Sequence, residues 1–188
     1  MTSTETTTET TSSTAGPAAD VGTDPISAVV AGVKGAVAAD PANAAASVRA
    51  QAVWRAPIGV DVRMGKHRVV VDQPESLGGS DAGAGPVELA LGALVACQVA
   101  IFRFHAAKEG LTIGDLRVTA DGDLDVRGFF GFDASVRPGF SAIRVKVEVS
   151  GPETEQAYRA LAATVDAHCP VLDLFSNPTP VETSVVVG

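Results

Sequence analysis

Two cysteines, Cys97 and Cys169, are the only thiols in this chain of 188 residues, and their surroundings differ. Cys97 lies inside the apolar run from Pro86 to Phe102, whereas Cys169 stands in His168-Cys169-Pro170-Val171, at what reads as a helix start. The positive end of a helix lowers a thiol pKa, and His168 next to Cys169 adds charge. Cys97 has no such local help: mid-helix and among apolar neighbours its pKa should rise, so any activating cation must come from elsewhere in the fold. A buried thiol and an activated one form a candidate redox pair. The plain alternative for Cys97 is a small core hydrophobe. With His67, His105 and His168 the cysteines supply five metal-binding side chains, but no C-x-x-C or H-x-x-x-H spacing brings them together, and no metal site is expected.

The elements that must position these thiols follow from periodicity. Val48 to Trp54, Ile58 to Val62 and His67 to Asp72 alternate apolar and polar residues, with breaks at Pro57 and Met64-Gly65, and predict an antiparallel meander. A Gly-rich loop from Gln73 to Gly85 leads to Pro86, which opens a long helix expected to reach about Lys108 and stop at Gly110. Ile113 to Asp123 and Ala142 to Val149 read as strands around an irregular segment, Leu124 to Phe140. Pro152 is expected to open a helix to Ala167, Cys169-Pro170 a second short one ended by Asn177-Pro178, and Val181 to Val187 a closing strand. Strand runs interrupted by separate helices indicate an α+β fold. The long helix is apolar nearly all round, so it needs cover on two sides. Gly92, Ala93, Ala96 and Ala100 would let a second helix approach closely, and a symmetry mate is the expected partner.

With 46% hydrophobic residues the chain can bury one sizeable core. Residues 1–24 are a Thr/Ser-rich tail expected to be disordered, 25–47 an Ala-rich helical linker, and 48–188 the folded domain. A net charge of -8 with 14 scattered basic residues argues against nucleic acid as a partner. The uncharged stretch from Leu89 to Phe102 falls short of the roughly 20 residues a membrane helix needs, so no membrane is expected. The first basic residue is Lys34, which leaves no charged leader for export and places the expected site of action in the cytoplasm.

Glu75-Ser76-Leu77-Gly78-Gly79, then Gly85-Pro86-Val87-Glu88-Leu89 with Gly92-Ala93-Leu94-Val95-Ala96-Cys97, and finally Cys169-Pro170-Val171 together resemble the OsmC/Ohr family of osmotically inducible and organic-hydroperoxide-resistance proteins. The resemblance covers about Val48 to Val187. It implies an intertwined homodimer in which a long buried central helix is wrapped by antiparallel β-sheet, with sites at the subunit interface. It implies further that Cys97 reduces an organic hydroperoxide and Cys169 resolves the resulting sulfenic acid, a dithiol reductant reopening the disulfide, with no cofactor.

In the family an Arg ahead of the helix activates the first cysteine, and aligning the flanking residues puts it near Gly59, which has no side chain. Arg55 and Arg63 each lie four residues away on the same strand face, about 13 Å along it, and Arg63 is the substitute the resemblance suggests. Glu88 matches the family's acidic residue that holds this Arg. On one regular helix Glu88 and Cys97 would be on opposite faces and about 13.5 Å apart. Either Glu88 belongs to the loop, or the site draws on two subunits, or Glu88 merely complements the helix dipole. Phe129, Phe130, Phe132 and Phe140 cluster in one irregular stretch, as a core cap or as an apolar wall admitting an alkyl hydroperoxide. The expected function is a thiol peroxidase. The rival is a non-catalytic dimeric protein of the same fold that binds a small molecule or senses redox state.

Overall fold

A computed structural model describes residues 25–188, so the expected disordered tail falls outside the described residues. The element order is α1 (Pro25–Ala39), β1 (Ala50–Trp54), β2 (Val60–Met64), β3 (His67–Val71), α2 (Pro86–Glu109), β4 (Asp115–Asp123), a short α3 (Val126–Phe129), β5 (Ala142–Ser150), α4 (Glu155–His168) and α5 (Pro170–Ser176). It is an α+β fold with antiparallel sheets. β1, β2 and β3 form the expected meander, and β4 pairs with β5 in a separate two-stranded sheet.

Local chemistry fixes the boundaries of α2. Pro86 occupies its first turn, where no N–H is needed, and Glu88 Oε2 reaches back to accept from Gly85 N at 2.7 Å. Gly110, at φ 71°, ends the helix in the left-handed conformation that glycine adopts without penalty, and its N–H bonds Ala106 O. α4 begins later than Pro152 because Thr154 is the residue that caps it: its hydroxyl accepts from Ala157 N at 3.2 Å. Tyr158, Leu161 and Val165 recur at helical spacing on its inner face, while the Arg159–Glu155 ion pair lies outside.

The core unites the second half of α2, the inner face of α4 and the β4–β5 sheet. Phe102, Ala106, Ile113, Tyr158, Leu161 and Val165 form it, with Leu116, Val147 and Val149 packed from the sheet. Burial of each large apolar side chain contributes about 1.5–3 kcal/mol. Only one face of α2 is covered in this way. Leu94, Gln98, Phe102 and Ala106 are buried, whereas Gly92, Ala93, Ala96, Val99, Ala100 and Phe104 are exposed. α1 packs on α2 without burying any of its own residues. At 24 residues α2 is long and apolar enough to cross a membrane by length and composition, because the helix runs well beyond the uncharged stretch seen in the sequence. Along its covered face it packs on β4, α4 and α5.

Two features depart from expectation. The closing strand does not form: residues 181–188 are irregular, with Val181 83% and Val187 89% exposed. The alternating valines supply strand tendency, but a strand exists only in a ladder, and neither sheet of this chain pairs with it. The irregular segment after β4 contains the single turn α3, capped by Asp125, whose carboxylate accepts from Arg127 N at 2.9 Å.

Candidate redox site

Asp72, at the end of β3, organises the approach to α2. Its buried carboxylate accepts from Gln73 N at 2.8 Å, Ser80 Oγ at 2.7 Å, Ser80 N at 3.0 Å and Ala82 N at 3.2 Å. The Ser80 hydroxyl first, and then the backbone N–H groups, hold its pKa well below the usual carboxylate range. The loop lies so close to the sheet that a Cβ on Gly79 would sit 1.8 Å from Gln73 O and one on Gly83 2.2 Å from Val70 O. The backbone leading into α2 is thereby fixed on β3.

Cys97 is half-buried on α2, and Cys169, 2% exposed, joins α4 to α5. Both thiols are free, and their side chains are near enough that Cys97 acts on the titration of Cys169. Burial pushes the Cys169 thiol pKa up, and the nearby Cys97 adds to the rise. The backbone N–H groups of Leu172 and Val171 oppose this without overcoming it. The expected activation of Cys169 at a helix start is therefore reversed, since desolvation outweighs the two N–H groups. His168 contributes no help that the structure shows: its Nδ1 bonds Thr164 O at 2.7 Å, and its ring lies 4.9 Å from that of His105. Burial first, then the neighbouring His168 and Lys108, lower the pKa of His105.

Gln98, next to Cys97, is fully buried. Its Nε2 donates to Asp166 Oδ1 at 3.2 Å, three residues before Cys169, and its Oε1 has no partner among the described residues. The bond ties α2 to α4 at the level of the thiols. Beside them lies a cavity of about 400 Å³ lined by Leu94, Phe140, Ile143, Val145, Leu172 and Phe175, with Arg137 also in its wall. Leu94 precedes Cys97 by one helical turn, and Leu172 follows Cys169 by one. A neighbouring cleft of about 430 Å³ shares Leu172 and Ser176 with it and includes Cys169.

The other two residues singled out from the sequence stand apart from the thiols. Arg63 is exposed on β2, where its Nε donates to Gly65 O at 3.0 Å, and Glu88 spends its carboxylate on the cap at Gly85. Neither makes a hydrogen bond or ion pair with Cys97 or Cys169 among the described residues. At Gly59 an added Cβ would lie 3.6 Å from Asp72 Oδ1. Phe140 does wall the cavity, whereas Phe129, Phe130 and Phe132 form a separate, exposed aromatic cluster. Asp72, Gln98 and Arg137 were missed. For Gln98 the signal was present, as the single amide inside the apolar run.

Comparison with known proteins now bears on this geometry. The family described as OsmC-like protein matches residues 78–184, more than half of the chain. No curated protein matches. Among solved structures, an OsmC-like protein from Mycoplasma pneumoniae is similar at 19% identity, over 70% of this chain and 88% of that one, with a TM-score of 0.61. An organic hydroperoxide resistance protein OsmC from Legionella pneumophila is similar at 20% identity over 69% and 89%, with a TM-score of 0.54. One from Elizabethkingia anophelis, also an organic hydroperoxide resistance protein, is similar at 20% over 69% and 88%, with a TM-score of 0.52. At such identities the likeness establishes the fold.

Proposed function

The chain belongs to the OsmC-like protein family, and on that premise we propose that it is a thiol peroxidase for organic hydroperoxides. The observation that carries this reading is that Cys97 lies near enough to Cys169 to act on its titration, with a largely apolar cavity lined by Leu94 and Leu172, one helical turn from each thiol. The more accessible Cys97, as thiolate, attacks the terminal oxygen of R–O–OH. The S–O bond forms, the O–O bond breaks, and the alkoxide takes up a proton and leaves as ROH. Cys169 then attacks the sulfur of the Cys97 sulfenic acid and displaces water, giving a disulfide. A dithiol reductant restores both thiols by exchange. Burial keeps Cys169 protonated until that second step, as suits a resolving thiol, and the reducing cytoplasm is the compartment where this cycle would run.

We read the working unit as a homodimer. The outer face of α2, both faces of the meander and the valines of 181–187 leave apolar side chains in water within one chain. A two-chain site would also reconcile the positions of Arg63 and Glu88, which lie apart from the thiols of their own subunit.

A second reading rests on Gly59. The residue at the expected activating position has no side chain, and Arg63 is engaged by Gly65 O. A dimeric small-molecule binder or redox sensor would need neither. Stopped-flow oxidation of the reduced protein by cumene hydroperoxide, with thiol counting and disulfide mapping, separates the two. The peroxidase requires rapid loss of both thiols into a Cys97–Cys169 bridge, abolished in Cys97→Ser and diverted to a sulfenic acid in Cys169→Ser. Slow, uncorrelated oxidation supports the binder.

A further inference from the structure

Arg137 lines the 400 Å³ cavity beside the thiols and makes no hydrogen bond or ion pair among the described residues. The basic residues around it are otherwise engaged. Arg127 pairs with Asp125 at 2.6 Å, and Arg144 holds Asp123 through two bonds at 2.6 and 2.8 Å. The remaining nearby carboxylates are also taken: Asp133 by the Ser135 hydroxyl and N–H, and Asp173 by Asn177 Nδ2. Arg137 is exposed, so a guanidinium with no protein partner among the described residues stands at the solvent edge of a largely apolar cleft, open to an anion. Gly139 leaves space beside it, since even an added Cβ there would clear Arg137 Nη2 by 3.6 Å.

We infer that Arg137 is a specificity-determining residue that recognises the carboxylate of an amphipathic organic anion whose apolar chain fills the cleft. A guanidinium presents a planar fork that matches a carboxylate with two parallel bonds. Leu94 and Leu172, one helical turn from Cys97 and Cys169, line the same cleft as Arg137, so a chain anchored at Arg137 shares its cleft with neighbours of both thiols. Phe140 and Phe175, with ring centroids 6.4 Å apart, bound it on the other side. The identity of the anion as a hydroperoxide rests on the peroxidase reading; its recognition by Arg137 does not.

The test therefore separates binding from turnover. Calorimetric titration of the reduced, full-length protein with decanoate and with methyl decanoate reads the anion site directly. The wild type is expected to prefer decanoate, and Arg137→Gln to weaken decanoate about ten-fold or more while leaving the ester unchanged, as loss of a charge-assisted pair requires. Arg137→Lys, which keeps the charge but not the fork, falls between. In turnover with a long-chain hydroperoxy acid and its methyl ester, Arg137→Gln raises KM for the acid alone, with kcat preserved. The pH profile of Cys97 alkylation by iodoacetamide stays where it is. Equal binding of acid and ester by the wild type, or no binding of either, overturns the proposal. A shifted alkylation profile also overturns it, because Arg137 would then act on the thiol. Decanoate preference that depends on Arg137, without any reduction of cumene hydroperoxide, retains the anion site and rejects the peroxidase.

Discussion

Cys169 is held as a neutral thiol by the packing around it, and this has a measurable pH signature. Its folded-state pKa lies above the unfolded value, so its contribution to stability is fully present below the ordinary thiol pKa and is lost as pH rises through the raised one. Thermal melts of the reduced protein should therefore show a fall in Tm on the alkaline side of the ordinary thiol value, flattened in Cys169→Ala. A matching curve in that variant would remove burial of Cys169 as the cause. Gln98 makes a different prediction. Its Oε1 is a buried acceptor with no partner, a state that costs about 1–3 kcal/mol. Its partner Asp166 is exposed and can turn to water. Gln98→Leu should therefore leave stability in urea unchanged or raise it by about 1 kcal/mol; a loss of several would mean that the Gln98–Asp166 bond is a net stabiliser.

At the scale of elements, the Asp72 carboxylate gathers the middle of the loop from Gln73 to Gly85 through Gln73, Ser80 and Ala82. Because the pKa of Asp72 is depressed, its contribution is present above the ordinary carboxylate range and fades as pH falls toward the lowered value. Asp72→Asn is expected to speed amide hydrogen exchange at Ser80 and Ala82 and to remove part of the acid sensitivity of the melt. Unchanged exchange at those two amides would show that the glycines seat the loop unaided. The ends of α2 were legible in the sequence because local signals set them: Pro86 after Gly85, and Gly110 after Glu109. The split between α4 and α5 was equally legible at Cys169-Pro170, for the same reason. Cys97 and Cys169 could be named from the sequence as a candidate pair, but their nearness could not be read from it, since two residues so far apart in the chain are brought together by the tertiary packing of α2 on α4 and α5. Arg137 lay in an irregular segment with no periodicity to mark it. The helix-start argument for Cys169 failed because it weighed the helix dipole and His168 and could not weigh the burial against them.

For the molecule as a whole, the decisive feature is how much apolar surface one chain leaves uncovered. A three-stranded meander whose first strand is exposed along its whole length is marginal alone and is stabilised when that strand is packed. Light scattering should report a dimer, and deletion of residues 181–188 should weaken it and lower Tm; a truncated protein that stays dimeric with an unchanged melt would place the interface elsewhere. The segment's alternation was legible, but its pairing partner was not, because no strand of the same chain provides one. The nearness of the two thiols has one more consequence. A bond between Cys97 and Cys169 would cross-link the central helix to the C-terminal helices and close a long loop of chain, a restraint worth about 2–4 kcal/mol against unfolding. Each catalytic cycle would then fasten and release the whole molecule, so the oxidised form should melt higher and resist proteases longer than the reduced one. Thermal stability in a cell extract would become a gauge of how much hydroperoxide the protein had just met.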